Sequence, residues 1–291
     1  MPLGPGSSAF TGFNFRATSP TQFNFVALEE IAAGDTITFT DNNWNGSTLT
    51  TNESTWTWTA TSDIAAGTVI TIDQPVPATG APAVPRSNFG AVVYSGVARP
   101  QIGGDTIYAY VGPASAPTFV SALVMRALGS VLSNTGLQAG VTAVVPPNDG
   151  SFVSTLAAYT GPTSGLSTFA DFRAVLNDPG NWVGQRNNIA NAESDGIGPD
   201  LPLSTGSFTI DPNAQTVGFA GDSLSVSVTE GQGGSSTALT FTVVRSGPTT
   251  GDLDFSGSLV FASNSGVDVA DFGAPCRPSP APSRTASPPP Q

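Results

Sequence analysis

Residues 23–73 read FNFVALEEIAAGDTITFTDNNWNGSTLTTNESTWTWTATSDIAAGTVITID and contain one short segment twice, as IAAGDTIT (31–38) and IAAGTVIT (64–71). In each copy a Gly-containing turn precedes a run in which apolar and Thr residues alternate, which is the period-two pattern of a half-buried strand. Between the copies, Trp56 and Trp58 fall on one face and Thr55, Thr57 and Thr59 on the other. The stretch predicts a β-sheet with a Thr-rich outer face.

The composition indicates an all-β protein. The chain has 291 residues, and its 33 Gly and 25 Pro indicate many short strands joined by turns. It contains no His and no Lys, and the net charge of -12 argues against nucleic-acid binding and against attraction to anionic membranes. A single Cys, Cys276, excludes an internal disulfide, and no run of about 18 apolar residues is present for membrane insertion.

The strands and helices are expected mainly before residue 211, where Asp211-Pro212-Asn213 suggests a domain boundary. Two short helices are predicted, at Thr118–Ala127 and from an N-cap at Ser167 or Thr168 to a stop before Asp178-Pro179. The predicted strands are Phe10–Phe15, Phe23–Leu28, Asp35–Thr40, Ser54–Ala60, Thr68–Ile72, Gly90–Tyr94, Thr106–Val111 and Gly206–Ile210. We therefore expect a disordered leader at 1–9 and a β-sandwich module with one or two short helices at 10–210.

Five pieces are spread over the first 210 residues: FVALEEI (25–31), FTDNNWNG (39–46), TWTWTA (55–60), GDTIYAY (104–110) and NW (181–182). With these pieces the segment resembles an N-terminal β-rich module of large secreted bacterial proteins. That module often accompanies Calx-beta domains and extracellular nuclease or phosphatase domains. The resemblance implies an extracellular or cell-surface location, although the N-terminus MPLGPGSSAF lacks the basic and apolar regions of a signal peptide.

Residues 211–272 contain Glu230-Gly231, the strand LTFTV (239–243) followed by RSG (245–247), and Ala270-Asp271-Phe272. By these marks the segment is similar to the first half of a Calx-beta domain, the immunoglobulin-like sandwich of sodium-calcium exchangers and many bacterial adhesins. The resemblance nominates Glu230 and Asp271 as calcium ligands. The family's later strands and acidic cluster are missing, so we expect weak calcium binding and self-association through the partial sandwich.

Residues 273–291, GAPCRPSPAPSRTASPPPQ, form a Pro-rich tail without apolar periodicity, and we expect this tail to be disordered. The abrupt change of composition at residue 273 suggests a GC-rich reading frame read out of phase.

Two motifs invite chemical interpretations that the sequence does not favour. Residues 221–224 spell GDSL, the motif of a serine esterase family, but that family uses a His base and the chain has none. Asp41 opens DNNWNG (41–46), which matches the start of a calcium loop, yet position twelve is Asn52 rather than Glu. A tight turn capped by its own Asx side chains is the favoured interpretation.

Trp44, Trp56 and Trp58 can be interpreted as a flat aromatic platform for a sugar ring. The alternative, which we favour, is that Trp56 and Trp58 fill the sandwich core. The Thr faces also suit an ordered-water surface of the ice-binding kind, although solvent-facing Thr is ordinary in strands.

The sequence thus predicts a non-enzymatic structural or adhesion-type segment of a larger secreted or surface protein, with other domains or surface polymers as partners. The alternative is an accessory carbohydrate-binding or substrate-positioning module of an extracellular nuclease or phosphatase.

Overall fold

The computed structural model describes residues 2–15, 20–75, 84–96, 105–125, 130–147, 154–185, 199, 201–212, 214, 216–219 and 243–246. It divides into two compact units, residues 1–216 and residues 217–291. The first unit is a sandwich of two six-stranded sheets, so the prediction of an all-β sandwich is confirmed. No helix in the described ranges is long and apolar enough to cross a membrane.

The strands of the sandwich follow one another along the chain, with the helical residues 169–177 and the 3-10 turn Pro179–Asn181 before the last strand. They are β1 (Ser8–Asn14), β2 (Thr21–Ala27), β3 (Thr36–Thr40), β4 (Thr55–Thr59), β5 (Val69–Gln74), β6 (Arg86–Ser87), β7 (Ala91–Ser95), β8 (Thr106–Val111), β9 (Thr118–Val124), β10 (Ala143–Val144), β11 (Leu156–Tyr159) and β12 (Trp182–Gln185). A separate two-stranded sheet pairs β13 (Thr216–Phe219) with β14 (Val243–Ser246).

Sheet I has the strand order β12-β11-β1-β2-β5-β6, and sheet II has the order β10-β9-β8-β3-β4-β7. All pairings in the two sheets are antiparallel except the parallel pair β9–β10. Thus β6 and β7 are outer strands of the two sheets, and so are β10 and β12.

The repeated segment builds two arches that cross from one sheet to the other. The first arch connects β2 in sheet I to β3 in sheet II, and the second connects β4 in sheet II to β5 in sheet I. At the turn of the arches, Ile31 and Ile64 donate to each other's carbonyl oxygens, at 3.0 and 2.8 Å. Gly34 and Gly67 occupy equivalent positions with φ of 91° and 88°, a region that favours glycine. The two copies are thus joined by a reciprocal pair of backbone hydrogen bonds between Ile31 and Ile64.

The core lies between the sheets and is dominated by aromatic side chains from the two arches. Phe39 contacts Phe23 and Phe25, with ring centroids 5.0 and 4.9 Å apart. Trp58 meets Phe25 edge to face at 5.5 Å. Along β4 the two Trp side chains are buried and the three Thr side chains are half-buried on the outer face, as the alternation predicts.

The predicted helix at Thr118–Ala127 is wrong, because residues 118–124 form the strand β9. Its inner face contributes Val120 and Leu123 to the main core, while Phe119 and Val124 pack on the outer face in a second apolar cluster. Since both faces of β9 are covered, apolar residues occur without the alternation that would have indicated a strand.

The second predicted helix is present as a 3-10 turn, Phe169–Asp171, followed by the helix α1, Phe172–Asn177. Thr168 is the N-cap and forms a reciprocal capping box with Asp171. Phe172 and Leu176 are buried, and α1 ends before Asp178-Pro179 as predicted.

Both ends of the predicted module differ from the structure. Residues 2–9 are packed rather than a disordered leader: Leu3 is buried, Gly6 N donates to Val120 O at 2.7 Å, and β1 begins at Ser8. The predicted strand Gly206–Ile210 is reduced to one bridge between Leu166 and Ile210. The amides of residues 208, 209 and 211 donate to three separate residues, Gly67, Thr163 and Leu166, so no continuous ladder forms.

Candidate functional site

The β3–β4 loop, residues 41–54, contains two of the predicted site residues, Asp41 and Trp44, and is rich in Asn, Ser and Thr. The loop is closed where β3 ends and β4 begins, because Asp41 N donates to Ser54 O at 3.3 Å and Ser54 N donates to Asp41 Oδ1 at 2.5 Å. Thr40 Oγ1 also donates to Ser54 O, at 2.8 Å. Asp41 is therefore bonded within the loop that it opens.

The Asp41 carboxyl is buried, with 3% of the residue exposed. Burial raises its pKa to about 7 because a low-dielectric environment disfavours the ionised form. The hydrogen bond from Ser54 lowers the pKa, whereas the nearby charges of Asp105 and Glu53 raise it. A carboxyl that titrates near neutrality suits general acid–base chemistry, but this one is enclosed and already accepts a backbone hydrogen bond.

Asx side chains hold the rest of the loop. Asn45 Oδ1 accepts from Ser47 N and Thr48 N, both at 2.9 Å, which is an Asx turn. Asn42 Oδ1 accepts from Glu53 N at 3.0 Å. The oxygens of Asp41 and Asn45, at positions one and five of the calcium-loop pattern, thus bind amides of the loop itself. The geometry is that of the capped turn rather than of a calcium loop.

Trp44 lies at the surface of this loop and connects it to residues 130–137. Its Nε1 donates to Ser133 O at 2.7 Å, and its ring meets Phe119 edge to face at 5.0 Å. Asn134 Nδ2 donates to Gly46 O at 3.0 Å. Trp44 is half-buried and packs against the apolar cluster that contains Phe119.

The other two residues of the predicted platform lie in the core. Trp56 and Trp58 are 1% and 0% exposed, and their Nε1 atoms donate to Gln74 Oε1 at 2.7 Å and to Phe89 O at 2.6 Å. Because both indoles are buried between the sheets, neither is open to a sugar ring. The interpretation of three Trp residues as one platform is therefore wrong, and of the three only Trp44 reaches the surface.

Glu230 and Asp271, the calcium ligands nominated by the Calx-beta resemblance, lie outside the described residues, as does the GDSL segment. Among the residues that are described, no group of three or more His, Cys, Asp or Glu side chains could hold a metal ion.

Sequence reasoning did not place Asp105 near Asp41. The two residues are far apart in sequence. They come close because β3 pairs with β8, with Thr40 opposite Tyr108. The strand pattern predicts both strands but not which strand is the neighbour of which.

Comparisons with protein-family models, with curated proteins and with solved structures find no match to this chain.

Proposed function

We propose that this chain is a non-enzymatic structural segment of a larger secreted or cell-surface protein, of the adhesion type. The observation that supports this most is the way in which its conspicuous residues are used. The aromatic residues of the repeated arches join the two sheets, and the polar residues of the β3–β4 loop bond mainly to that loop. In this proposal the sandwich is a rigid spacer, and its partners are other domains of the same protein or polymers of the cell surface.

The location is tested on intact cells of the native host that carry an epitope tag in the chain. We expect protease added outside the cells to remove the tag, while a cytoplasmic marker stays intact. Retention of the tag until the cells are lysed would contradict a surface location.

The non-enzymatic role is tested with the purified full chain on phosphodiester and ester substrates. We expect no turnover above buffer. Asp41 is the described carboxyl with a pKa near neutrality, so it is the first residue to test if turnover is seen. Turnover that disappears in Asp41→Asn, while the variant keeps the wild-type circular dichroism spectrum, would show an enzyme.

An accessory carbohydrate-binding or substrate-positioning role is the second candidate, and Trp44 is the observation that favours it. Its half-buried indole lies at the surface, with Asn43 and Asn45 beside it in the sequence, and a flat aromatic ring stacks on the apolar face of a sugar. Polysaccharide binding that is lost in Trp44→Ala would support this candidate, and binding unaffected by that substitution would contradict it. Weak calcium association through Glu230 and Asp271 is part of the main proposal and rests on the Calx-beta resemblance.

A further inference from the structure

Three buried polar atoms of sheet I have no hydrogen-bond partner among the residues that the structure describes. They are Asn24 Oδ1, Thr71 Oγ1 and Thr11 Oγ1. Asn24 is 1% exposed and Thr11 is 9% exposed. Because an unpaired buried polar group costs free energy, nearly all such groups in folded proteins are bonded to protein or to ordered water. The three atoms therefore call for a partner.

The strand register places the three residues on neighbouring strands. Asn24 in β2 lies directly opposite Thr71 in β5. On the other side of β2, Asn24 is opposite Gly12 of β1, and Thr11 is the extra residue of a bulge directly before Gly12. Asn24 and Thr71 share the outer face of sheet I, because the residues before and after each of them lie in the core between the sheets.

The segment around Leu203 and Ser204 covers this part of the outer face. At β1, two side-chain carbons of Leu203 lie 3.3 Å from the position of a Cβ on Gly12. At β2, Asn24 Nδ2 donates to Ser204 O at 2.9 Å. Asn24 thus uses its amide group as a donor, while its oxygen is buried beside the unpartnered hydroxyl of the opposite strand.

We propose that this row binds ordered water, with one molecule bridging Asn24 Oδ1 and Thr71 Oγ1 across the β2–β5 pair and the network reaching Thr11 Oγ1 on β1. Residues that face each other on neighbouring strands have Cβ atoms about 4.5–5.5 Å apart, so one water molecule can reach the ends of both side chains. Asn24 Oδ1 can only accept a hydrogen bond, whereas a hydroxyl can donate or accept. Water both donates and accepts, and it therefore suits both groups.

The chemistry of the row favours water over a metal ion. Its three oxygens belong to one amide and two hydroxyls, and all are uncharged. Calcium takes about six to eight oxygen ligands, usually with carboxylates among them, whereas a buried water molecule typically makes about three hydrogen bonds to otherwise unpaired polar groups. Because Asn24 Nδ2 holds Ser204 O, water at Asn24 Oδ1 also stabilises the contact between residue 204 and sheet I.

A high-resolution crystal structure of the full chain tests the site directly. We expect a density peak within hydrogen-bond distance of both Asn24 Oδ1 and Thr71 Oγ1, joined directly or through a second peak to Thr11 Oγ1. A direct hydrogen bond between the Asn24 and Thr71 side chains, or no peak between them, would overturn the proposal. Crystals grown in rubidium chloride identify the occupant, because anomalous scattering from rubidium at the peak would show a monovalent cation and would also overturn it.

Valine substitutions in the full chain provide a measurement in solution. Thr71→Val keeps the shape of the side chain but removes one partner of the bridging water, so we expect a lower melting temperature. Thr106→Val in sheet II is the matched control. Its hydroxyl is also buried and unpartnered, but the residue opposite is the apolar Val124. Removing such a lone hydroxyl should not lower the melting temperature. Thr71→Val as stable as the wild type, or equal losses in both variants, would contradict the bridge.

Discussion

At the scale of single residues, Trp56 and Trp58 each combine a buried ring with a satisfied indole N–H. Replacing either with Ala leaves a large cavity between the sheets and removes the hydrogen bond of the indole, and we expect a loss of about 3–5 kcal/mol in the free energy of unfolding. Urea denaturation measures this change. Trp44→Ala, at a half-buried position, is the control and should cost less. Unchanged stability in the two core variants would contradict their structural role.

Asp41 predicts an unusual dependence of stability on pH. Its pKa is about 7 in the folded chain and about 3.8 for an unperturbed carboxyl, so between these values the folded state holds a proton that the unfolded state has released. Its contribution to stability is therefore fully present below about pH 4, decreases as the pH rises to about 7, and is constant above that.

In Asp41→Asn this dependence should disappear, because the amide does not titrate and its oxygen can still accept from Ser54 N. The measurement is the difference in the free energy of unfolding between Asp41→Asn and wild type at pH 5, 6, 7 and 8, which should grow in favour of the variant as the pH rises. Glu30→Gln, at an exposed position, controls for the loss of one negative charge. A difference that does not vary with pH would contradict the assignment.

At the scale of elements, the two arches contain a matched pair of glycines. Gly34 and Gly67 have the same positive φ region, so alanine at either position is strained by roughly 1 kcal/mol or more. They differ in surroundings: a Cβ on Gly34 meets nothing within 4 Å, whereas a Cβ on Gly67 would collide with Phe208 O and lie 2.7 Å from the Phe169 ring.

We therefore expect Gly67→Ala to lower the melting temperature more than Gly34→Ala does, by an amount that reflects the collision alone. Differential scanning calorimetry of the two variants and the wild type measures this. Equal losses would mean that residues 208 and 169 move aside without cost.

The same elements show what the sequence could predict. The strands β3 and β4 of the arches were predictable because each has apolar residues buried at alternate positions, which leaves the alternation of apolar and Thr residues visible. The strand β9 was not, because both of its faces are covered. Among the site residues, the Asx turn was predictable from DNNWNG, since its contacts are local. The proximity of Asp105 to Asp41 was not predictable, since it depends on which strands are neighbours.

At the scale of the whole molecule, the chain divides into two units, and the nominated calcium ligands fall by residue number in the second, residues 217–291. Calcium prefers six to eight oxygen ligands, and Glu230 and Asp271 supply two side chains. We expect millimolar calcium to leave the melting temperature of the full chain almost unchanged, in the wild type and in Glu230→Gln alike. A rise with calcium in the wild type that is absent in Glu230→Gln would show a site more complete than these two residues provide.

The backbone bridge between Ile31 and Ile64 has a consequence for the order in which the chain folds during synthesis. Neither arch pairs its own two strands, because β2 and β3 lie in different sheets and so do β4 and β5; instead β2 pairs with β5 and β3 with β4. When the ribosome has completed only the first arch, β3 has neither β4 nor β8 available, and Ile37 and Phe39 lack their cross-strand neighbours Trp58 and Trp56. The first copy of the repeat must therefore wait for the second, and the earliest nascent chain that can close both sheets around these aromatic residues has already extended past Gln74.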